Sequence, residues 1–138
     1  MAVTTGLGEI QQLYPTDEAC LSKISQIRFA PLKKVCPKCG KKTTFYRVKK
    51  RKCYECQSCG YQLFPTAGTL FEKTRTSLIL WFCVMHLMAI NRNRITAKDI
   101  QRQLGITYKS ARRLARETRP LPGRTLEEKL ASALAKRS

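Results

Sequence analysis

The sequence predicts a mainly α-helical fold with one small β element: an N-terminal helix, a cysteine-pinned ribbon, then a helical domain. Three observations predict it. Cys36-Pro37-Lys38-Cys39-Gly40 and Cys56-Gln57-Ser58-Cys59-Gly60 are two Cys pairs with two-residue gaps, and sixteen residues separate the pairs. Residues 78–90 form one apolar run of helical length. Residues 96–119 read as two amphipathic helices joined by Gly105-Ile106-Thr107.

The cysteine spacing is that of a zinc ribbon. A two-residue gap lets both sulfurs of a pair face one ion while the amides of the tight turn face the sulfurs. Gly40 and Gly60 follow the second Cys of each pair, where the chain often needs positive φ. Cys36, Cys39, Cys56 and Cys59 would then hold one structural Zn2+ in a closed tetrahedral site, with no open position to activate water. Two disulfides are the alternative, but paired gaps with trailing glycines favour metal. A ribbon of about 35 residues cannot bury enough apolar surface to fold alone, so the metal replaces a core there.

The 138 residues suit one domain or two very small ones, and the remaining chain must supply its own core. Net charge is +18, from 27 Lys and Arg against 9 Asp and Glu. Such an imbalance points to a polyanion, and nucleic acid is the usual one. No basic amphipathic helix carries large apolar anchors, so a membrane partner is not expected. Seven cysteines is an odd number, and the first 15 residues lack the basic start and apolar run of a secretory signal. A reducing, cytoplasmic, nucleoid-associated setting follows. The apolar run of about 13 residues is too short to span a bilayer.

Residues 1–14, with Gly6, Gly8 and few charges, read as a loose arm. Thr16 then caps a helix with Asp17 and Glu18 in its first turn, running to about Phe29 and ended by Pro31. Cys20, Ile24 and Ile27 recur on one face, and Cys20 reads as core. Residues 43–48 are rich in β-formers and read as a strand. Lys49-Lys50-Arg51-Lys52 is the turn, residues 53–55 return, and residues 61–64 add a third strand before Pro65. Cys53 is a rival ligand, disfavoured because Cys56 and Cys59 already form the glycine-trailed pair. Ten Lys or Arg and no acid lie between Lys33 and Tyr54. Lys41, Lys42, Lys49, Lys50, Arg51 and Lys52 are therefore expected to meet phosphates, against the plainer reading of a solvated hairpin tip.

Residues 66–76 read as a connector. Ser77 caps the apolar helix 78–90, which should be the central buried helix, with Trp81, Met85 and Met88 in packing roles. Its Cys83 and the lone His86 read as packing residues. Asn91-Arg92-Asn93-Arg94 is a polar break whose Arg92 and Arg94 are further candidate DNA contacts. Thr96 caps a helix ending near Leu104, Gly105 allows the turn, and Thr107 caps a second helix over 108–119, ended by Pro120. Ala97, Ile100, Leu104, Ile106, Ala111 and Leu114 form the inward set. Lys109, Arg112, Arg113 and Arg116 share the opposite side at i, i+3, i+4 and i+7. A small apolar back and an Arg-rich front suit the major groove, with Thr107 and Tyr108 near the DNA at the helix start. The plainer reading is a solvated face, but such faces usually mix signs, and Glu117 is the one acid here. A last helix over 125–136 carries Leu126, Leu130 and Leu134 on one stripe, to dock on the core, pair two copies or bind another protein. The divisions are arm and first helix over 1–31, ribbon over 32–70, helix-turn-helix over 71–121, and tail helix over 122–138.

In this order the pieces resemble the N-terminal region of insertion-sequence transposases of the transposase zinc-ribbon group. The resemblance rests on the helix from Asp17-Glu18-Ala19-Cys20-Leu21 to Ile27-Arg28-Phe29 and on the four-Cys ribbon. It continues through Phe64-Pro65-Thr66-Ala67-Gly68-Thr69-Leu70-Phe71-Glu72-Lys73-Thr74, the Trp81 helix and the helix-turn-helix, covering residues 15 to about 121. Such transposases continue into a catalytic domain with metal-binding acids. This chain ends at Ser138, and its nine acids are scattered, none on an apolar strand where a two-metal site is built. The resemblance implies the DNA-binding half without strand cleavage.

The leading expectation is a zinc-dependent, sequence-specific binder of double-stranded DNA that regulates transcription or transposition and is not an enzyme. The alternative is an interaction module whose ribbon and leucine stripe contact RNA polymerase or a separate transposase subunit; a homodimer uses the same stripe. A metal-dependent nuclease is disfavoured, because four thiolates close the metal.

Overall fold

The computed structural model describes residues 7–72 and 74–135. Six α-helices and a three-stranded antiparallel sheet are present among them: α1 (Leu7–Leu13), α2 (Asp17–Phe29), β1 (Phe45–Val48), β2 (Cys53–Cys56), β3 (Gln62–Leu63), α3 (Leu78–Ile90), α4 (Ala97–Leu104), α5 (Tyr108–Thr118) and α6 (Leu126–Ala135).

Local chemistry sets these bounds. Thr16 Oγ1 accepts from the Ala19 amide at 3.2 Å, and Asp17 and Glu18 sit at the positive end of α2. Ser77 caps α3 through the Ile79 amide. Thr96 and Asp99 form a reciprocal capping box on α4: the Asp99 amide donates to Thr96 Oγ1 at 3.2 Å and the Thr96 amide to the Asp99 carboxylate at 3.1 Å. The amide and hydroxyl of Thr96, with Arg102 adding, hold the Asp99 carboxyl below its ordinary range. Gly105, at φ +67, ends α4 in the left-handed region.

Helix α3 is the axis of the core. Its residues are apolar nearly all round, His86 excepted, and α1, α2, α5 and α6 all pack on it. Phe82, Val84, Met85, Leu87 and Met88 are fully buried. Ile100, Ala111 and Leu114 are buried as the inward face of α4 and α5, with Ala97, Leu104 and Ile106 packed at its margin. Among the described residues no helix is long and apolar enough to cross a membrane.

The structure corrects the loose-arm expectation for residues 1–14, of which 1–6 lie outside the described residues. Residues 7–13 are helical; Ile10 is buried in the core, and the Tyr14 ring meets Phe82 edge-on at 5.0 Å. The segment LGEIQQL is too short and too mixed to register as amphipathic. The described part of the connector, residues 66–72 and 74–76, is irregular but not loose. Thr66, Thr69 and Phe71 are buried, Phe71 meets Trp81 edge-on at 5.5 Å, and the Trp81 indole donates to Thr74 Oγ1 at 3.0 Å.

The leucine stripe of α6 also finds its partner within the chain. Leu126, Leu130 and Leu134 are buried, and α6 packs on α2 and α3. Of the three readings of the stripe, docking on the core is the one this arrangement matches. Lys129 shares the buried side, where its ammonium donates to Leu121 O at 2.6 Å and Asn93 Oδ1 at 2.7 Å. Burial lowers its pKa from the ordinary lysine value.

Leu130→Ala should cost about 2–5 kcal/mol of unfolding free energy. Lys23→Ala, which removes a surface ion pair to Glu127 at 3.8 Å, should cost less than about 1 kcal/mol. Urea titrations of the two variants against the parent check both.

Candidate metal centre and cationic faces

The first Cys pair follows an isolated bridge between Val35 and Lys42; the second begins at the end of β2. Both turns are built alike. The Cys36 amide donates to Lys41 O at 3.0 Å and the Gly40 amide to Cys36 O at 2.9 Å. In the second turn the Cys56 amide donates to Tyr61 O at 2.8 Å and the Gly60 amide to Cys56 O at 2.9 Å. Gly40 (φ +72) and Gly60 (φ +79) take the left-handed conformation that closes each turn.

The turns aim their amides at sulfur. Lys38 and Cys39 donate to Cys36 Sγ at 3.4 and 3.5 Å, and Cys59 donates to Cys56 Sγ at 3.4 Å. The four sulfurs lie within 4.8 Å of one another, with Cys36 to Cys59 at 3.7 Å and Cys39 to Cys56 at 3.9 Å. A tetrahedral zinc about 2.3 Å from each sulfur sets them about 3.8 Å apart. Donor set and spacing therefore fit one structural Zn2+, held by Cys36, Cys39, Cys56 and Cys59.

The electrostatics agree with a cation at this point. Burial raises the Cys36 and Cys56 thiols, but amide donation within each turn outweighs it; both fall below the ordinary value, Cys56 to about 6. Cys59 rises to about 11: the Tyr61 amide lowers it, and burial and the neighbouring sulfurs raise it more. Like charges this close oppose one another, and a divalent cation removes the opposition. Cys53 stands apart, buried opposite Val48 in the hairpin. Cys20 and Cys83 lie in the helical core, where burial pushes their thiols up to about 12 and about 11.

Two glycine-closed Cys turns joined by a hairpin, with α2 leading into them, are the part of the chain that has a known counterpart. Residues 15–62 match the transposase zinc-ribbon domain. No curated protein and no solved structure matches the chain. The matched stretch opens at Pro15, just before the α2 cap, and ends in β3, so the similarity takes in α2 as well as the sheet.

One long-range clasp ties the two parts of this zinc-ribbon domain together. The Arg47 guanidinium makes two parallel bonds of 2.8 Å to the Glu18 carboxylate. It also donates to the carbonyls of Val48, Arg51 and Cys53, closing the hairpin turn from below. Arg28 donates to Pro65 O at 2.8 Å and fastens the sheet's exit to the end of α2. Sequence reasoning missed both clasps, since nothing local distinguishes Arg47 from its solvated basic neighbours.

The expected DNA-facing residues sort differently. In the zinc-ribbon domain Lys41, Lys42, Lys49, Lys50 and Lys52 are exposed, while Arg51 also donates to Gln62 Oε1 at 3.3 Å. Arg92 and Arg94 are exposed in the turn after α3. On α5, Lys109, Arg112, Arg113 and Arg116 are exposed and line one cleft of about 360 Å3 with Ser110. Arg112 and Arg116 also line a second cleft of about 420 Å3 against Ala97, so they form the ridge between the two. Arg113 instead donates to Thr76 Oγ1, bracing α5 against the connector. The Thr107 hydroxyl is engaged as the α5 cap, accepting from the Ser110 amide at 3.2 Å, and Tyr108 is exposed beside it.

Cys56→Ser should abolish stoichiometric zinc, whereas Cys53→Ser should retain one zinc per chain; elemental analysis of the purified variants checks this. Protons compete for thiolates, so zinc affinity should fall as pH drops, measured by chelator competition.

Proposed function

We propose that the protein binds double-stranded DNA sequence-specifically as a regulator of transcription or transposition, with zinc as a structural ion and no strand-cleaving activity of its own. In this reading α4, the Gly105 turn and α5 act as a helix-turn-helix, and α5 enters the major groove. The observation that carries it is the exposed ridge of Arg112 and Arg116 on a helix whose opposite side is buried. Arg presents a planar fork suited to guanine edges and to phosphates.

Further support comes from charge and from the family. A net charge of +18 favours any polyanion, and the match to a transposase zinc-ribbon domain makes DNA the natural one. Lys49, Lys50 and Lys52 at the hairpin tip hold phosphates. Among the described residues the one group of three or more metal-ligating side chains at ligand spacing is the cysteine cluster, which favours a binding role over hydrolysis.

Binding to a duplex selected from a randomised pool should weaken steeply with salt, with a slope of about −0.9 per phosphate contacted. Lys50→Ala should weaken all sequences alike and reduce that slope by about 1. Arg112→Ala should cost about 1–3 kcal/mol on the selected duplex and relax base preference. Fluorescence anisotropy over a salt series reads all of these; an Arg112→Ala protein that separates selected from random DNA as well as the parent does would defeat the base-reading role of α5.

A further inference from the structure

A cleft of about 340 Å3 lies between α2 and the ribbon sheet, within the range of about 300–1,000 Å3 of small-ligand sites. Its lining is mixed in a specific way. Phe29 from α2, Phe45 from β1 and Tyr54 from β2 supply three half-buried rings; Ser25 and Gln26 supply hydrogen-bonding groups; Lys34 supplies an exposed cation. No carboxylate lines it.

The three rings line the cleft without pairing with one another. Among the described residues the ring pairs are Tyr14 with Phe82 and Phe71 with Trp81, so none of the three cleft rings is spent on another. Guanidiniums back two of them: Arg28 lies 5.8 Å from the Phe29 centroid and Arg47 6.0 Å from that of Tyr54. Lys34 is set beside the cleft by a strained backbone. Lys33 (φ +49) and Lys34 (φ +65) are consecutive left-handed residues that are not glycine. Bonds from the Lys33 amide to Ala30 O at 3.1 Å and from the Thr43 amide to Lys34 O at 2.9 Å hold them there.

We propose that this cleft receives one unpaired nucleobase of the bound DNA, with Lys34 on the adjoining phosphate. The inference rests on the nucleic-acid reading above. Aromatic walls, hydrogen-bonding edge groups and a neighbouring cation are what a splayed-out base and its phosphate require. A base inside a duplex is stacked on both faces and cannot enter, so the cleft selects unpaired nucleotides.

The test compares three DNAs of the same duplex sequence by anisotropy with the full chain: blunt, with a short thymidine tail, and with an abasic tail of equal length and charge. The thymidine tail should bind about fivefold or more tighter than the abasic one. Phe45→Ala should erase that difference and leave blunt-duplex affinity unchanged. Zinc content and a thermal melt show that the variant is folded; Gln26→Ala, at an exposed helix position, should reduce the same difference without touching the sheet. Equal binding of the two tails by the parent, or a difference that survives both substitutions, overturns the proposal while duplex binding stands. Failure of every DNA to bind overturns the duplex reading as well.

Discussion

Four sulfur atoms within 4.8 Å of one another are the constraint on which the first half of this structure depends. They cannot all ionise beside each other unless a cation shares the space. The sheet they pin is small, and its strands run two to four residues. Sheets of that size are marginal without a packed face or a cross-link. The metal position therefore does for β1, β2 and β3 what an apolar core does elsewhere. The Arg47 clasp to Glu18 then transfers this local rigidity to α2, so the ribbon is held in place as well as held in shape.

The second half is organised by burial. Helix α3 has no polar face, and the structure supplies helices around it instead of water. Because α2 packs on both α3 and α6, the helix that leads into the ribbon is also a wall of the helical core. The connector adds a second bridge, through Phe71 and Thr74 on Trp81 and through Thr76 on Arg113. The exposed side of α5 is thus supported by the apolar core beneath it and by the segment that leaves the sheet.

Much of this was legible in the sequence because it is local. Cysteine spacing, the Thr16, Ser77, Thr96 and Thr107 caps, and the Gly105 turn each act over a few residues. What escaped is long-range. Glu18 and Arg47 are 29 positions apart, and Arg113 and Thr76 are 37 apart, so no pattern links them. Arg113 shares the exposed cationic side of α5 and also donates to Thr76, a contact that helical spacing does not reveal. Helix α1 was hidden for another reason: its short segment LGEIQQL offers too few apolar residues to set a helical period. The cleft beside α2 exists only once the sheet is docked, and its walls come from three separate elements.

The ammonium sealed under α6 has a consequence for the end of the chain. Among the described residues no carboxylate pairs with Lys129; its charge is answered by the Leu121 carbonyl and by the side-chain oxygen of Asn93, itself in a left-handed conformation (φ +64). The final helix is therefore not an appendage laid over a finished core. It reaches through to the bend that sends the chain from α3 into α4, so the seating of the cationic helix is tied in part to a helix that follows it in sequence.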